Sequence, residues 1–116
     1  MYRVRLHRID VPDPRDELAR TASLTKEDVA AITARLARMD RSSSRGPWTG
    51  AVLALIADRP AVVSTVLAEA IGWERQDFKL HVRRLKALGL TLSLDVGYRL
   101  SPRGESYLRS PRTAGR

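Results

Sequence analysis

The stretch LAEAIGWERQDFKLHVRRLKALGL, residues 67–90, holds two helices and the turn between them. The first is expected from Thr65 to Ile71 with Ser64 as its cap, and it stops at Gly72, the residue type that helix ends favour. The second is expected from about Glu74 to Leu88 and stops at Gly89. Along it Phe78, Val82, Leu85 and Leu88 fall three or four residues apart and form a stripe that has to be buried. Gln76, Lys79, Leu80 and Arg83 project the opposite way, which makes the outer face polar and basic.

Working outward, Trp48–Asp58 (WTGAVLALIAD) reads as a short, nearly all-apolar helix ended by Arg59-Pro60, because the residue before a proline avoids the helical region. Downstream, Leu90–Leu94 alternates apolar and polar residues. Asp95-Val96-Gly97 makes a tight turn, and Tyr98–Leu100 returns as a second strand. Ser101-Pro102 opens a last helix to about Leu108, and residues 110–116 read as a disordered basic tail. Upstream, Tyr2, Val4 and Leu6 alternate with polar residues as a half-buried strand would, from about Tyr2 to Ile9. Asp13-Pro14 then opens a short helical segment to about Thr21. Thr25 and Asp28 form a capping box for a helix to about Met39, on which Val29, Ile32, Leu36 and Met39 share one apolar face. Residues 41–47, RSSSRGP, have no apolar side chain other than the proline and end in two helix breakers, as a linker would. The expected organisation is an N-terminal strand and helical extension (1–40), the linker (41–47), a helical domain with a hairpin (48–109) and the tail (110–116).

Residues 67–90 resemble the helix-turn-helix consensus of bacterial regulators, matching without a gap from Ala68 to Leu90. The resemblance implies that Ala68 is small because the helices cross there, that Gly72 turns the chain, and that Trp73, Phe78, Val82 and Leu85 fill the space between them. The segment GYRLSPRGESYL is similar to the wing endings of OmpR-type and MarR-type regulators. The implied fold is mainly α with a small β-hairpin wing, a winged helix-turn-helix over residues 48–108 extended by the N-terminal strand and helix. Residues 1–47 resemble no family that we recognise.

In such proteins the N-terminal part of the second helix lies against base edges in the major groove of double-stranded DNA, where Arg or Lys can pair with guanine and Gln with adenine. Arg75, Gln76, Lys79 and Arg83 are therefore the candidate base readers, and Leu80 can touch a thymine methyl. Ser64, Thr65, Arg84, Lys86, Arg99 and Arg103 are candidates for phosphate or wing contacts. Two departures stand out. Glu74 occupies the place where Ser or Thr usually begins the helix, and the turn Asp95-Val96-Gly97 has no basic tip, leaving minor-groove contact to Arg99 or Arg103.

Charge agrees with this assignment. The chain carries a formal +8 over 116 residues, and 18 of its 21 basic residues are Arg, a bias that a GC-rich genome would also produce. The distribution is more telling. Residues 74–88 hold Arg75, Lys79, Arg83, Arg84 and Lys86 against Glu74 and Asp77, whereas residues 48–73 hold Arg59 against Asp58 and Glu69. Positive charge thus collects where a nucleic-acid footprint is expected.

Other classes find little support. There is no Cys, and His7 and His81 alone cannot hold zinc, so no metal or cofactor is expected; His81 reads as structural, and Trp48 and Trp73 as packing residues. No nucleophile motif or phosphate loop suggests an enzyme. No apolar run is long enough to span a membrane, and MYRVRLHRID lacks the apolar block of a signal peptide, which points to a bacterial cytoplasm and its nucleoid. A homodimer is one expectation, formed through the N-terminal strand and the apolar face of the Lys26–Met39 helix; that helix packing on its own winged domain is the other. The function expected is a DNA-binding transcriptional regulator. The alternatives are a chromosome-associated protein binding by charge alone and a winged-helix adaptor for protein or RNA.

Overall fold

A computed structural model describes residues 18–111. Five helices and a two-stranded hairpin follow in the order α1 (Lys26–Arg41), α2 (Thr49–Asp58), α3 (Ser64–Ile71), α4 (Arg75–Ala87), β1 (Thr91–Ser93), β2 (Tyr98–Leu100) and α5 (Pro102–Arg109), with residues 18–20 also helical. The described chain is thus mainly helical with one small antiparallel hairpin. The strand expected over Tyr2–Ile9, the start of the helix at Pro14 and the tail from Arg112 lie outside the described residues.

α1 starts at the expected capping box: the Asp28 N–H donates to the Thr25 hydroxyl and the Thr25 N–H to the Asp28 carboxylate, both at 3.0 Å. Those two bonds pull the Asp28 carboxyl below the usual carboxylate range. Val29, Ile32 and Leu36 are buried in the same core as Trp48, Val52, Leu53 and Ile56 of α2. Of the two expectations for this face, packing on its own domain is the one observed, and the face is not open to a second copy. The linker reading needs correcting too. α1 runs through Arg41, and at its end Asp40 accepts the backbone N–H groups of Trp48 (2.8 Å) and Thr49 (2.9 Å) and the Thr49 hydroxyl (2.9 Å). One carboxylate therefore caps the next helix and clamps the joint, at the positive end of the α2 dipole.

α3 and α4 are joined at Gly72, whose φ of 78° is the left-handed conformation a non-glycine residue resists. α3 corrects one detail. Val63 occupies the cap position with no side-chain bond, and Ser64 is the first residue inside the helix. Glu74 stands at the cap of α4 and makes no capping bond either. α4 buries Phe78, His81, Val82 and Leu85; with Leu67 and Ala68 of α3 these residues, His81 excepted, join the central core.

The hairpin pairs Thr91 with Leu100, Leu92 with Arg99 and Ser93 with Tyr98, and its turn is closed by the Leu94 N–H on the Gly97 carbonyl (2.9 Å). A third stretch of backbone holds it in place, the Ala61 N–H donating to the Tyr98 carbonyl at 2.9 Å. Ser101 then fixes α5. Its N–H donates to the Leu90 carbonyl (3.0 Å), its hydroxyl donates to the Gly89 carbonyl, and the same oxygen accepts the Gly104 N–H (2.9 Å).

Candidate nucleic-acid interface

Burial sorts the side chains of α4 into two populations. Arg75, Gln76, Leu80, Arg83 and Arg84 are exposed, and Lys79 and Lys86 are half-buried, their stems lying along apolar surface. Leu80 is 51% exposed, more than any core-forming role allows. Among the described residues the ion pairs are Arg45 with Asp77, Arg59 with Asp58, and the contact of His81 with Asp77, so none of the five cations of α4 has an acidic partner.

The acid that lies within α4 is turned away from this face. Asp77 is paired with Arg45 from the joint between α1 and α2, and the Arg45 guanidinium lies 4.2 Å from the centre of the Trp73 ring. The cation is thus held by a carboxylate on one side and an indole face on the other. Asp77 and Glu74 look equivalent in a charge count along the sequence. In the fold, Arg45 offsets Asp77 and the outer face of α4 keeps its positive charge.

Behind this face sits an aromatic cluster. The His81 ring lies edge-on to Trp48 (centroids 4.6 Å apart) and to Trp73 (4.8 Å), and Trp73 and Tyr98 flank Phe78. His81 Nδ1 stands 2.7 Å from the Asp77 carbonyl oxygen, which can only accept, so Nδ1 carries the proton and Nε2 is the site that titrates. Burial, and then the charges of Arg84 and Arg45, hold the imidazole below its ordinary pKa. The Asp77 carboxylate, 3.2 Å from the same ring nitrogen, acts the other way, but its charge is offset by Arg45. A depressed histidine pKa means that below about pH 6.5 the unfolded chain binds a proton the folded chain refuses. Stability is therefore expected to fall as pH drops from 7.5 towards 5.5, by at most about 1.4 kcal/mol per pH unit from this one group. Thermal melts of the protein and of His81→Phe, which keeps a ring against the tryptophans, check this; equal pH slopes would remove His81 as the cause.

The remaining candidates divide. Thr65 is exposed in the first turn of α3. Ser64 is half-buried beside the Tyr98 phenol, which burial pushes up in pKa against the opposing effects of the Ser64 hydrogen bond and the positive charges of Arg83 and Arg75. The start of α3, the base of β2 and the outer face of α4 thus share one neighbourhood. Arg99 is directed elsewhere: Tyr98 and Leu100 face inward, and Arg99 lines a groove of about 390 Å³ with Ile56, Ala57, Pro60 and Glu105. Arg103 is half-buried and donates through Nε to the Leu88 carbonyl (3.1 Å) at the end of α4, where that carbonyl has no helical partner. At the hairpin tip Val96 (53%) and Leu94 (39%) are exposed on either side of the exposed Asp95.

Arg45, Asp40 and Gly104 are the residues that sequence reasoning missed. None carries a local signal, since Arg45 meets Asp77 across 32 positions and Gly104 is set by its approach to Leu90. Among the described residues no group of His, Asp and Glu is arranged to hold a metal ion, and no helix is long and apolar enough to cross a membrane. Protein-family models, curated proteins and solved structures provide no match to this chain, so what the face can do has to be argued from its own geometry.

Proposed function

We propose that this chain is a winged helix-turn-helix protein that binds double-stranded DNA through α4 and regulates transcription. The observation that carries the reading is the outer face of α4, where exposed cations stand without acidic partners because Asp77 is engaged by Arg45. In this reading Arg75, Lys79 and Arg83 address guanine edges or phosphates, Gln76 an adenine and Leu80 a thymine methyl. Thr65, Arg84 and Lys86 meet phosphates at the margin. Arg99 and Arg103 drop to minor roles, the first because it faces away and the second because it is engaged on α4. The exposed Val96 and Leu94 favour a second reading, in which the hairpin docks on another protein.

Selection of bound sequences from a random duplex pool, followed by anisotropy titration of selected and scrambled duplexes at several salt concentrations, tests the proposal. A regulator retains a preference of about a thousandfold. Equal affinities that fall together with salt identify binding by charge alone, and absence of binding at low salt favours the docking reading.

A further inference from the structure

Among the described residues no other element covers the face of α1 opposite its core stripe, and its chemistry is self-complementary. Ala30, Ala34 and Ala37 lie along it beside a mostly apolar groove of about 610 Å³ whose other walls include Leu24, Thr33 and Pro111. At helical spacing Glu27 and Arg41 fall on the same outward face as Ala34, seven residues before and seven after it. Neither charge is paired among the described residues. Glu27 belongs to the acidic first turn of α1 and Arg41 to the basic last turn.

From this pattern we infer that two copies of the chain associate through α1, antiparallel, about a two-fold axis beside Ala34. In that arrangement Ala34 faces Ala34 of the second copy, and Glu27 of each copy faces Arg41 of the other, so both ends of the contact are closed by opposite charges. Alanines in the middle let the helix axes approach to about 8 Å, the short end of the usual range, and antiparallel helices set their dipoles in opposition. The core stripe of Val29, Ile32 and Leu36 stays inside its own fold, so this surface differs from the one expected of pairing through the apolar face of the Lys26–Met39 helix. A contact limited to one helix falls below the roughly 800 Å² per partner of a standard interface, so a weak dimer populated at tens of micromolar is expected. The inference does not depend on DNA binding.

Sedimentation equilibrium of the full chain, without DNA, reads it directly. The mass should approach twice the 13.0 kDa of one chain as concentration rises from about 1 to 500 µM. Ala34→Glu, at an exposed position, should hold the protein monomeric with an unchanged circular dichroism spectrum. Glu27→Arg and Arg41→Glu should each weaken the dimer about tenfold by setting like charges opposite one another, and the double swap should restore it. Restoration is diagnostic because the two residues are about 21 Å apart along one helix, out of reach within a single chain. A monomer throughout the concentration range, a dimer indifferent to Ala34→Glu, or single losses without rescue in the double swap would each overturn the inference. So would a monomer that dimerises only after removal of residues 1–17, since the groove would then be filled by the chain's own N-terminal segment.

Discussion

Replacing Lys79 and Arg83 together by glutamate is expected to weaken duplex binding by about a thousandfold or more while leaving the melting temperature within a few degrees. A base or phosphate contact by a cation contributes about 1–3 kcal/mol to binding, and reversal adds repulsion from the phosphates to the loss. Two such changes exceed 4 kcal/mol, or roughly three decades in affinity. Arg83 is exposed and Lys79 half-buried, and neither has an ion-pair partner among the described residues, so the fold has little to lose. Arg35→Glu with Arg109→Glu makes the same change in net charge at exposed positions on α1 and α5. Binding by charge alone would suffer equally from both pairs, whereas reading through α4 confines the large loss to the first. Anisotropy titration at two salt concentrations makes the comparison, and equal losses would remove α4 as the contact surface.

Gly104→Ala is expected to destabilise the fold by about 3 kcal/mol, the upper range for overpacking, and to lower the melting temperature by roughly 15 °C. Helix propensity predicts the opposite sign, since alanine in place of glycine inside a helix usually gains up to about 1 kcal/mol. Here the added Cβ would run into the Leu90 carbonyl oxygen, well inside van der Waals contact. That carbonyl cannot easily move, because it accepts the Ser101 N–H while the Leu90 N–H is bound to the Leu85 carbonyl at 3.2 Å. The steric conflict therefore exceeds the propensity gain. Gly50→Ala is the matching control: Gly50 lies in α2, where an added Cβ would meet nothing within 4 Å beyond its chain neighbours and the backbone of its own helix, and the substitution should stabilise by about 0.5–1 kcal/mol. Calorimetry of the two variants should give shifts of opposite sign.

These two glycines also mark what was legible in the sequence. Elements whose ends carry their own chemistry came out close to their observed bounds: the Thr25/Asp28 box opens α1, Ser101-Pro102 opens α5, and Gly72 and Gly89 end the helices before them at positive φ. The split of α4 into a buried stripe and a basic face was readable for the same reason, a period of 3.6 recorded along one helix. Ser64 misled because a hydroxyl near a helix start reads as a cap, whereas its place beside Tyr98 depends on the hairpin closing over it. The joint at 41–47 misled more. Polar residues and helix breakers describe a spacer equally well as they describe a tight corner, and what decides between them is Asp40, whose partners lie eight and nine residues on. Within the candidate site, sequence counted the charges and could not tell that Arg45 would offset Asp77, because no local period links the two.

The Asp40 clamp bears on how this protein can be divided. A fragment beginning at Trp48 would retain α3, α4 and the hairpin, yet it would strip the cover from the Trp48 and Val52 side of the core and leave the first N–H groups of α2 without their acceptor. The α1 helix is therefore structural tissue of the domain and not a detachable module. Exchange of parts between proteins, whether by recombination or by design, would have to keep α1 joined to the helices that follow it.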